Sequence, residues 1–507
     1  MSARFERRAP CLYAARIVTS RRGVFFILLV VSSLFSACSS KETPAKAKTS
    51  LMDVTPAPAP GMGVSGTSID IRLTEGGEVS VPDGPDKLRV AALVPNSAGG
   101  FTVLTGTVNE DGTFVVPVVP AGLYYLRREY SDGKGGWELF DLVATSERVV
   151  HLGSLYTGRP DVTWPQLPTP LSIAAENLSP WKAEDQLELF SLGADTTLFI
   201  DGFRAEGQLH EGDTRTGALA VDLAHSGMSL VDGEHGDRVT LTNLVSAMAG
   251  PMTYQTVAGS FDAAPFTLMD GQAATIAGSF APTAQHQLSI TWNQAAFAAL
   301  ASDVNAKAQA QSHSIWVYAE PAGQGRHAIA SSPTVLSGYL DAQGESMDQR
   351  FDFDYGNPFP AAWPLVANVS TEFVLGQDPY TRWGFIEIWG TLDAMASAAV
   401  VPPISPPRVL RIAGPSLTPK ISWDAPALGT PAAYFVQVYL HNGSDGWELP
   451  LWLWTQERSV TFPPGLLRAR VPYYVSVQAV TTYDPKHPYS RPPAGAAADA
   501  LSDVITP

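Results

Sequence analysis

Beyond Gly66 the apolar positions of the chain alternate with polar ones. Ser68-Ile-Asp-Ile-Arg-Leu73 does so strictly, and Leu88-Arg-Val-Ala-Ala-Leu-Val94 is an apolar run ended by Pro95. Successive strand side chains point to opposite faces, so a period of two marks a strand half buried against a core. Turn residues recur roughly every ten positions, the spacing expected of β-sandwiches. The idiom continues through Leu171-Ser-Ile-Ala, Gln186-Leu-Glu-Leu-Phe190 and Arg238-Val-Thr-Leu-Thr-Asn-Leu244. The near-repeats Val257-Ala-Gly-Ser-Phe261 and Ile276-Ala-Gly-Ser-Phe280 predict neighbouring strands. One stretch departs from the pattern. After Gln287-Leu-Ser-Ile-Thr-Trp292, Asn293 can cap a helix in which Phe297, Leu300, Val304 and Ala308 fall at helical spacing. Strands resume at Ser314-Ile-Trp-Val-Tyr318 and Phe351-Asp-Phe-Asp-Tyr355, and the loop from Tyr355 to Pro364, with Phe359, Trp363 and several prolines, reads as rigid.

Residues 1–65 are patterned differently. Arg16, Arg21 and Arg22 precede the apolar segment Val24-Phe-Phe-Ile-Leu-Leu-Val-Val-Ser-Ser-Leu-Phe35. That segment is shorter than the ~20 residues needed to cross a bilayer as a helix, and reads as the apolar part of an export signal. It ends in Phe35-Ser36-Ala37-Cys38, which resembles the bacterial lipoprotein processing motif, with Phe35 where Leu is usual. The resemblance implies cleavage between Ala37 and Cys38 and a lipid on the Cys38 thiol. Ser20-Arg21-Arg22-Gly23-Val24-Phe25 resembles a twin-arginine export signal and reads equally as a basic region of the general secretory type. In such lipoproteins Ser39, where Asp would retain the protein, implies transfer to the outer membrane. Residues 39–65, with Thr55-Pro-Ala-Pro-Ala-Pro60, then read as an extended tether.

Two further resemblances lie in the β-rich part. In Thr105-Gly-Thr-Val-Asn-Glu-Asp-Gly-Thr-Phe-Val-Val-Pro-Val-Val-Pro-Ala-Gly-Leu-Tyr-Tyr-Leu126, Asp111-Gly112 makes a turn, Phe114 and Val116 point inward, and Pro120-Ala-Gly122 leads into Tyr124 and Leu126. This resembles the prealbumin-like, carboxypeptidase regulatory-like sandwich of exported proteins, a non-catalytic module. After the breaker Val401-Pro-Pro-Ile-Ser-Pro-Pro407, Trp423 with Pro426, the Tyr434–Tyr439 strand, and Leu467 six residues before Tyr473 are similar to a fibronectin type III domain. Departures are Arg468-Ala-Arg470, where a Gly turn is common, and an additional Trp-rich strand. The family implies a spacer or protein-binding role.

Composition narrows the function classes. Past Ala37 the chain has 27 basic against 48 acidic residues, and no basic cluster interrupts this acidity, so nucleic acid is excluded as a partner. The two cysteines are Cys11 and Cys38, so the processed chain can form no internal disulfide and no Cys-based metal site. No metalloprotease helix, nucleophile elbow, P-loop or dinucleotide fingerprint occurs. Ser179-Pro-Trp-Lys182 matches Ser-x-x-Lys without companion motifs. His210, Glu211, Asp213, Asp222, His225, Asp232, Glu234, His235 and Asp237 are potential oxygen and nitrogen donors in no EF-hand register, and read as solvated loop tips. Asp352 and Asp354 fit the polar face of a half-buried strand.

The stripe Trp447, Trp452 and Trp454 is the candidate binding surface. Trp452 and Trp454 share one strand face and Leu451 and Leu453 the other, so only one of the two faces can meet the sandwich core. The remaining face suits a neighbouring domain, a protein partner or a sugar ring.

The chain therefore reads as mainly β, with tandem β-sandwich domains and one short helix in the third, preceded by a signal peptide and a disordered tether. The expected segments are the signal (1–37), lipidated Cys38 and tether (38–65), prealbumin-like sandwich (66–158), β-rich domain (159–282), β-rich domain with the helix (283–400), and fibronectin type III-like domain (401–507). The expected role is a lipid-anchored, non-catalytic binding or structural protein of the outer membrane, facing periplasm or exterior, with no cofactor or metal. Its partners are the membrane, through Cys38, and an unidentified protein or glycan. The alternatives are a glycan-binding surface lipoprotein and a hydrolase with an active site in 159–400.

Overall fold

The computed structural model describes residues 18–20, 23–25 and 63–507, apart from 98, 134, 202–208, 218, 224–228, 322–331, 343–347, 377–380, 415–416, 442–450 and 491. Ala37, Cys38, most of the tether, His225 and Trp447 lie outside these residues. Near the N-terminus, β1 (Val18–Ser20) pairs antiparallel with β2 (Gly23–Phe25). The described residues are mainly β, as the period of two predicts.

The first sandwich contains β3 (Gly63–Thr67), β4 (Ile69–Thr74), β5 (Gly77–Pro82), β6 (Leu88–Pro95), β7 (Phe101–Thr105), β8 (Thr107–Val108), β9 (Thr113–Pro117), β10 (Tyr124–Ser131), β11 (Trp137–Thr145), β12 (Val149–His151) and β13 (Leu155–Thr157). A β7-β6-β10-β11 sheet faces a β12-β3-β9-β8 sheet, and β13-β4-β5 forms a third, smaller one. Strand structure starts at Gly63, slightly ahead of the alternation, because Val64 is fully buried in the core. Gly112 takes the left-handed conformation that the Asp111-Gly112 turn requires, and Phe114, Val116, Tyr124 and Leu126 are buried.

The second contains β14 (Pro170–Glu176), β15 (Gln186–Ser191), β16 (Thr196–Asp201), β17 (Leu219–Asp222), β18 (Thr240–Ala249), β19 (Met252–Asp262), β20 (Ala274–Ser279) and β21 (Ala281–Pro282). Here β17-β14-β20 faces β16-β15-β18-β19 around Leu171, Ile173, Leu187, Leu189 and Leu241. The two near-repeats fall on β19 and at the end of β20. They meet across the sandwich, where Phe261 and Phe280 touch edge to face at 4.9 Å, and not along a ladder. Gly278 leaves room for this contact, since a Cβ there would run into the Phe261 ring.

The third contains β22 (Gln285–Asn293), α1 (Gln294–Ala298), α2 (Ala301–Val304), β23 (Gln309–Ala319), β24 (Thr334–Asp341), β25 (Asp348–Gly356), β26 (Leu365–Leu375), β27 (Arg382–Thr391) and α3 (Leu392–Ser397). A β24-β23-β26-β27 sheet and the β22–β25 pair enclose Ile290, Trp292, Ile315, Phe351 and Val369. The Asn293 side chain caps α1 by accepting from Ala296 N at 2.7 Å. Helix ends at Val304, ahead of the predicted Ala308, because Asn305 turns extended and its side-chain amide donates to Leu501 O at 2.9 Å. The short α3 was not signalled by the hydrophobic pattern.

The fourth contains β28 (Arg408–Ala413), β29 (Lys420–Asp424), β30 (Ala433–Leu440), β31 (Leu451–Thr455), β32 (Ser459–Thr461), β33 (Tyr473–Val480) and β34 (Gly495–Leu501). Its sheets, β28-β29-β32 and β31-β30-β33-β34, have the fibronectin type III-like arrangement. Trp423 and Leu467 are buried, and Tyr473 OH accepts from Arg468 N at 3.1 Å, closing the tyrosine corner. Arg470, at the turn where Gly is common, carries the positive φ itself, at 65°.

The sandwiches are not separate beads. β11 of the first pairs parallel with β31 of the fourth, β34 of the fourth pairs with β27 of the third, and β24 of the third pairs with β19 of the second. These joins merge one sheet from every module into a single 17-stranded sheet. They also satisfy edge N–H and C=O groups that would otherwise face solvent. The last module in sequence is thus central in the sheet, with both edges of its β31-β30-β33-β34 sheet occupied. One apolar cluster draws on all four modules, from Leu93 and Tyr125 through Met252 and Trp292 to Trp423 and Val477.

Candidate functional site

The alternation along β31 decides where its aromatic stripe points. Leu451 and Leu453 are buried in the fourth module's core, and Trp452 and Trp454 are half-buried on the opposite face. The Trp454 ring lies nearly parallel to Phe435 at 4.3 Å and to Tyr483 at 5.4 Å, and Trp452 meets Phe435 at 6.0 Å. In the parallel register Trp454 stands beside Val143 of β11, and it packs against the first module's core. It also abuts the small cluster of Trp389, Ala433, Val480 and Ala497. Trp454 therefore belongs to the seam between the first and fourth modules.

That seam also holds a buried charge pair. Arg128 donates to both Asp141 oxygens, through Nε at 3.1 Å and Nη2 at 2.5 Å, and through Nη1 to Leu152 O at 2.7 Å. Burial works against the Arg128 charge, but Asp141 beside it keeps the guanidinium protonated. From the fourth module, the Tyr489 ring covers Arg128 at 3.9 Å. His151 and His487 stack at 4.8 Å, His151 N donates to Lys486 O at 2.7 Å, and Thr461 N donates to Tyr125 OH at 3.0 Å. Nearby, Asp83 accepts from Ser68 Oγ at 2.7 Å and Tyr130 OH at 2.9 Å. Burial, reinforced by the Asp83 charge, pushes the Asp70 carboxyl up to about 6.

Two other seams each centre on a buried acid. Glu188 of β15 accepts from Thr334 N at 3.0 and 3.1 Å and from Thr242 Oγ1 at 3.3 Å, and burial pushes it up to about 8. Asp499 of β34 accepts from Phe385 N at 2.9 Å and Ser476 Oγ at 3.4 Å. Burial, to which the Glu387 charge adds, pushes Asp499 up to about 7. Within the third module, burial pushes Glu372 up to about 7 and His313 down to about 4. These groups bond to backbone and hydroxyl partners inside the sheets, where they join strands.

The other chemistry-bearing residues are dispersed. Asp213 caps the turn at His210 N, Asp232 caps a short turn at Glu234 N, and Asp237 binds Arg159 and Asp232 N. Asp222 accepts from Thr169 N, and His235 contacts Asp232 at 2.6 Å. Among the described residues, no three His, Cys, Asp or Glu side chains converge as a metal would require. Asp352, exposed on β25, binds Ser289 and Arg350. Trp181 of Ser179-Pro-Trp-Lys182 is core, with Lys182 exposed beside it. A recess along Ser422, Asp424, Glu457 and Arg458 is widely open to solvent.

No family model and no curated protein matches the chain. Solved structures to which the chain is similar include titin domains A168–A170 (9% identity, 88% of this chain and 98% of that one, TM-score 0.15). Another is a tetra-tandem repeat from the extending region of a large adhesion protein (12%, 87% and 98%, TM-score 0.12). A third is the FN1–FN3 domains of chicken CNTN1 (8%, 88% and 97%, TM-score 0.15).

Proposed function

We propose that this protein is a lipid-anchored component of the bacterial envelope whose exported part acts as one rigid, non-catalytic structural or docking body. The observation that carries the reading is the edge-to-edge joining of all four modules through β11–β31, β34–β27 and β24–β19. Flexible display needs linkers between modules; continuous strand pairing removes that freedom. The buried acids and the Arg128–Asp141 pair are engaged with strand backbone and neighbouring side chains, where they hold strands together, which supports scaffolding over a hydrolase. The packing of Trp454 at a seam supports interdomain packing over a sugar platform.

The lipid anchor rests on the sequence around Cys38. Cells grown with an alkyne palmitate test it, comparing the natural chain with Cys38→Ala and treating intact cells with protease. The proposal predicts label that is lost in Cys38→Ala. Digestion in intact cells would set the body on the cell surface, and protection would set it in the periplasm. An unlabelled natural chain would refute the anchor.

A further inference from the structure

The 17-stranded sheet ends on β7, and we propose that this edge pairs with β7 of a second copy of the chain, antiparallel about a two-fold axis at Val103. The ladder to β6 sets which groups are available. Thr102 stands opposite Val94 and Leu104 opposite Ala92; flanking them, Asn96 N donates to Gly100 O and Gly106 N to Val90 O. Bonded pairs alternate with non-bonded ones along an antiparallel ladder. Thr102 and Leu104 therefore bond to β6, and Phe101, Val103 and Thr105 turn N–H and C=O outward. Among the described residues no strand pairs with that side.

Natural edges are protected by charge, proline or a bulge. β5 carries Glu78 and Pro82, and β28 carries Arg408 and Arg411 with a register shift between them. By contrast, residues 101–108, Phe-Thr-Val-Leu-Thr-Gly-Thr-Val, contain neither charge nor proline. Val103 is 51% exposed, and Thr102 and Thr105 are exposed beside it.

A second copy fits because the edge is its own complement. The two-fold at Val103 sets 103 against 103 and 101 against 105, so every facing pair is of the outward-bonding class. About six backbone hydrogen bonds form. No like charges meet across the strands, which matters in a chain of net charge −16. The contact also continues a sheet that already joins its own modules edge to edge three times, twice with antiparallel strands. A five-residue edge buries less than the roughly 1,200 Å² of a stable interface. Association is therefore weak.

Cysteine substitutions in the full chain test the register. Paired at the two-fold, position 103 lies about 5.5 Å from its copy, within disulfide reach. Position 105 lies roughly 14 Å from its own copy. Oxidised Val103→Cys should give at least about tenfold more disulfide dimer than Thr105→Cys, with the unsubstituted chain as background. Val103→Pro removes an outward donor and no bond to β6, so it should weaken dimerisation in sedimentation about tenfold with unchanged thermal unfolding. No Val103→Cys dimer from a normally melting protein, equal cross-linking at both positions, a cross-link to a different protein, or dimerisation unaltered by Val103→Pro would overturn the proposal.

Discussion

Replacing Glu188 with glutamine probes the seam between the second and third modules. Glu188 is fully buried, bonds Thr334 N and Thr242 Oγ1, and has no ion pair among the described residues. Burial lifts its carboxyl from 4.5 to about 8. The folded protein then holds a proton that the unfolded chain releases across that interval. Its stabilising effect is complete below pH 4.5 and is lost as pH rises through about 8, with a slope of up to about 1.4 kcal/mol per pH unit. Glu372 and Asp499, each lifted to about 7, act in the same direction over a lower range. Between about pH 7 and 8 Glu188 accounts for about 1 kcal/mol of lost stability, and the other two for less because their range lies lower. In Glu188→Gln the amide keeps an oxygen for Thr334 N and does not titrate. Urea unfolding followed by Trp fluorescence at about pH 7 and 8 should show the variant losing about 1 kcal/mol less than the natural protein over that step. Equal losses in both proteins would refute the assignment of a buried, protonated Glu188.

Other perturbations act on the remaining joins. Arg128→Met leaves Asp141 as an uncompensated buried charge and should cost about 3–5 kcal/mol in urea unfolding, with Asp141→Asn in the same chain recovering part of it. Trp454→Ala removes the contacts with Phe435 and Tyr483 and should cost about 2 kcal/mol, less than a fully buried Trp because the ring is half-exposed. Tyr473→Phe deletes the bond from Arg468 N and should cost about 1–2 kcal/mol in the same assay, leaving the circular dichroism spectrum unchanged.

The sandwiches were legible because period-two alternation and turn residues are local. Phe114, Val116, Trp423 and Tyr473 report their own burial through their neighbours in sequence. The helix after Asn293 was read too long, since its end depends on Asn305 reaching Leu501, a partner almost two hundred positions away. The joins between modules have no local signal at all. Leu142 and Leu453 look like ordinary core residues of two different modules, and nothing near either announces that their strands pair. Glu188 likewise reads as the polar member of an alternating strand, and its burial comes from β24 closing over it. The excess of aromatics on β31 was the one visible hint. Leucine and tryptophan on opposite faces of one strand meant that something besides the core had to cover Trp454, and that cover is the first module together with Tyr483.

Calorimetry of the intact chain tests most directly whether the four modules behave as one body. Strand pairing across every join predicts one cooperative transition, with calorimetric and van't Hoff enthalpies equal and the whole transition shifted by Trp454→Ala. Separate transitions for individual modules, with Trp454→Ala moving only one of them, would contradict it.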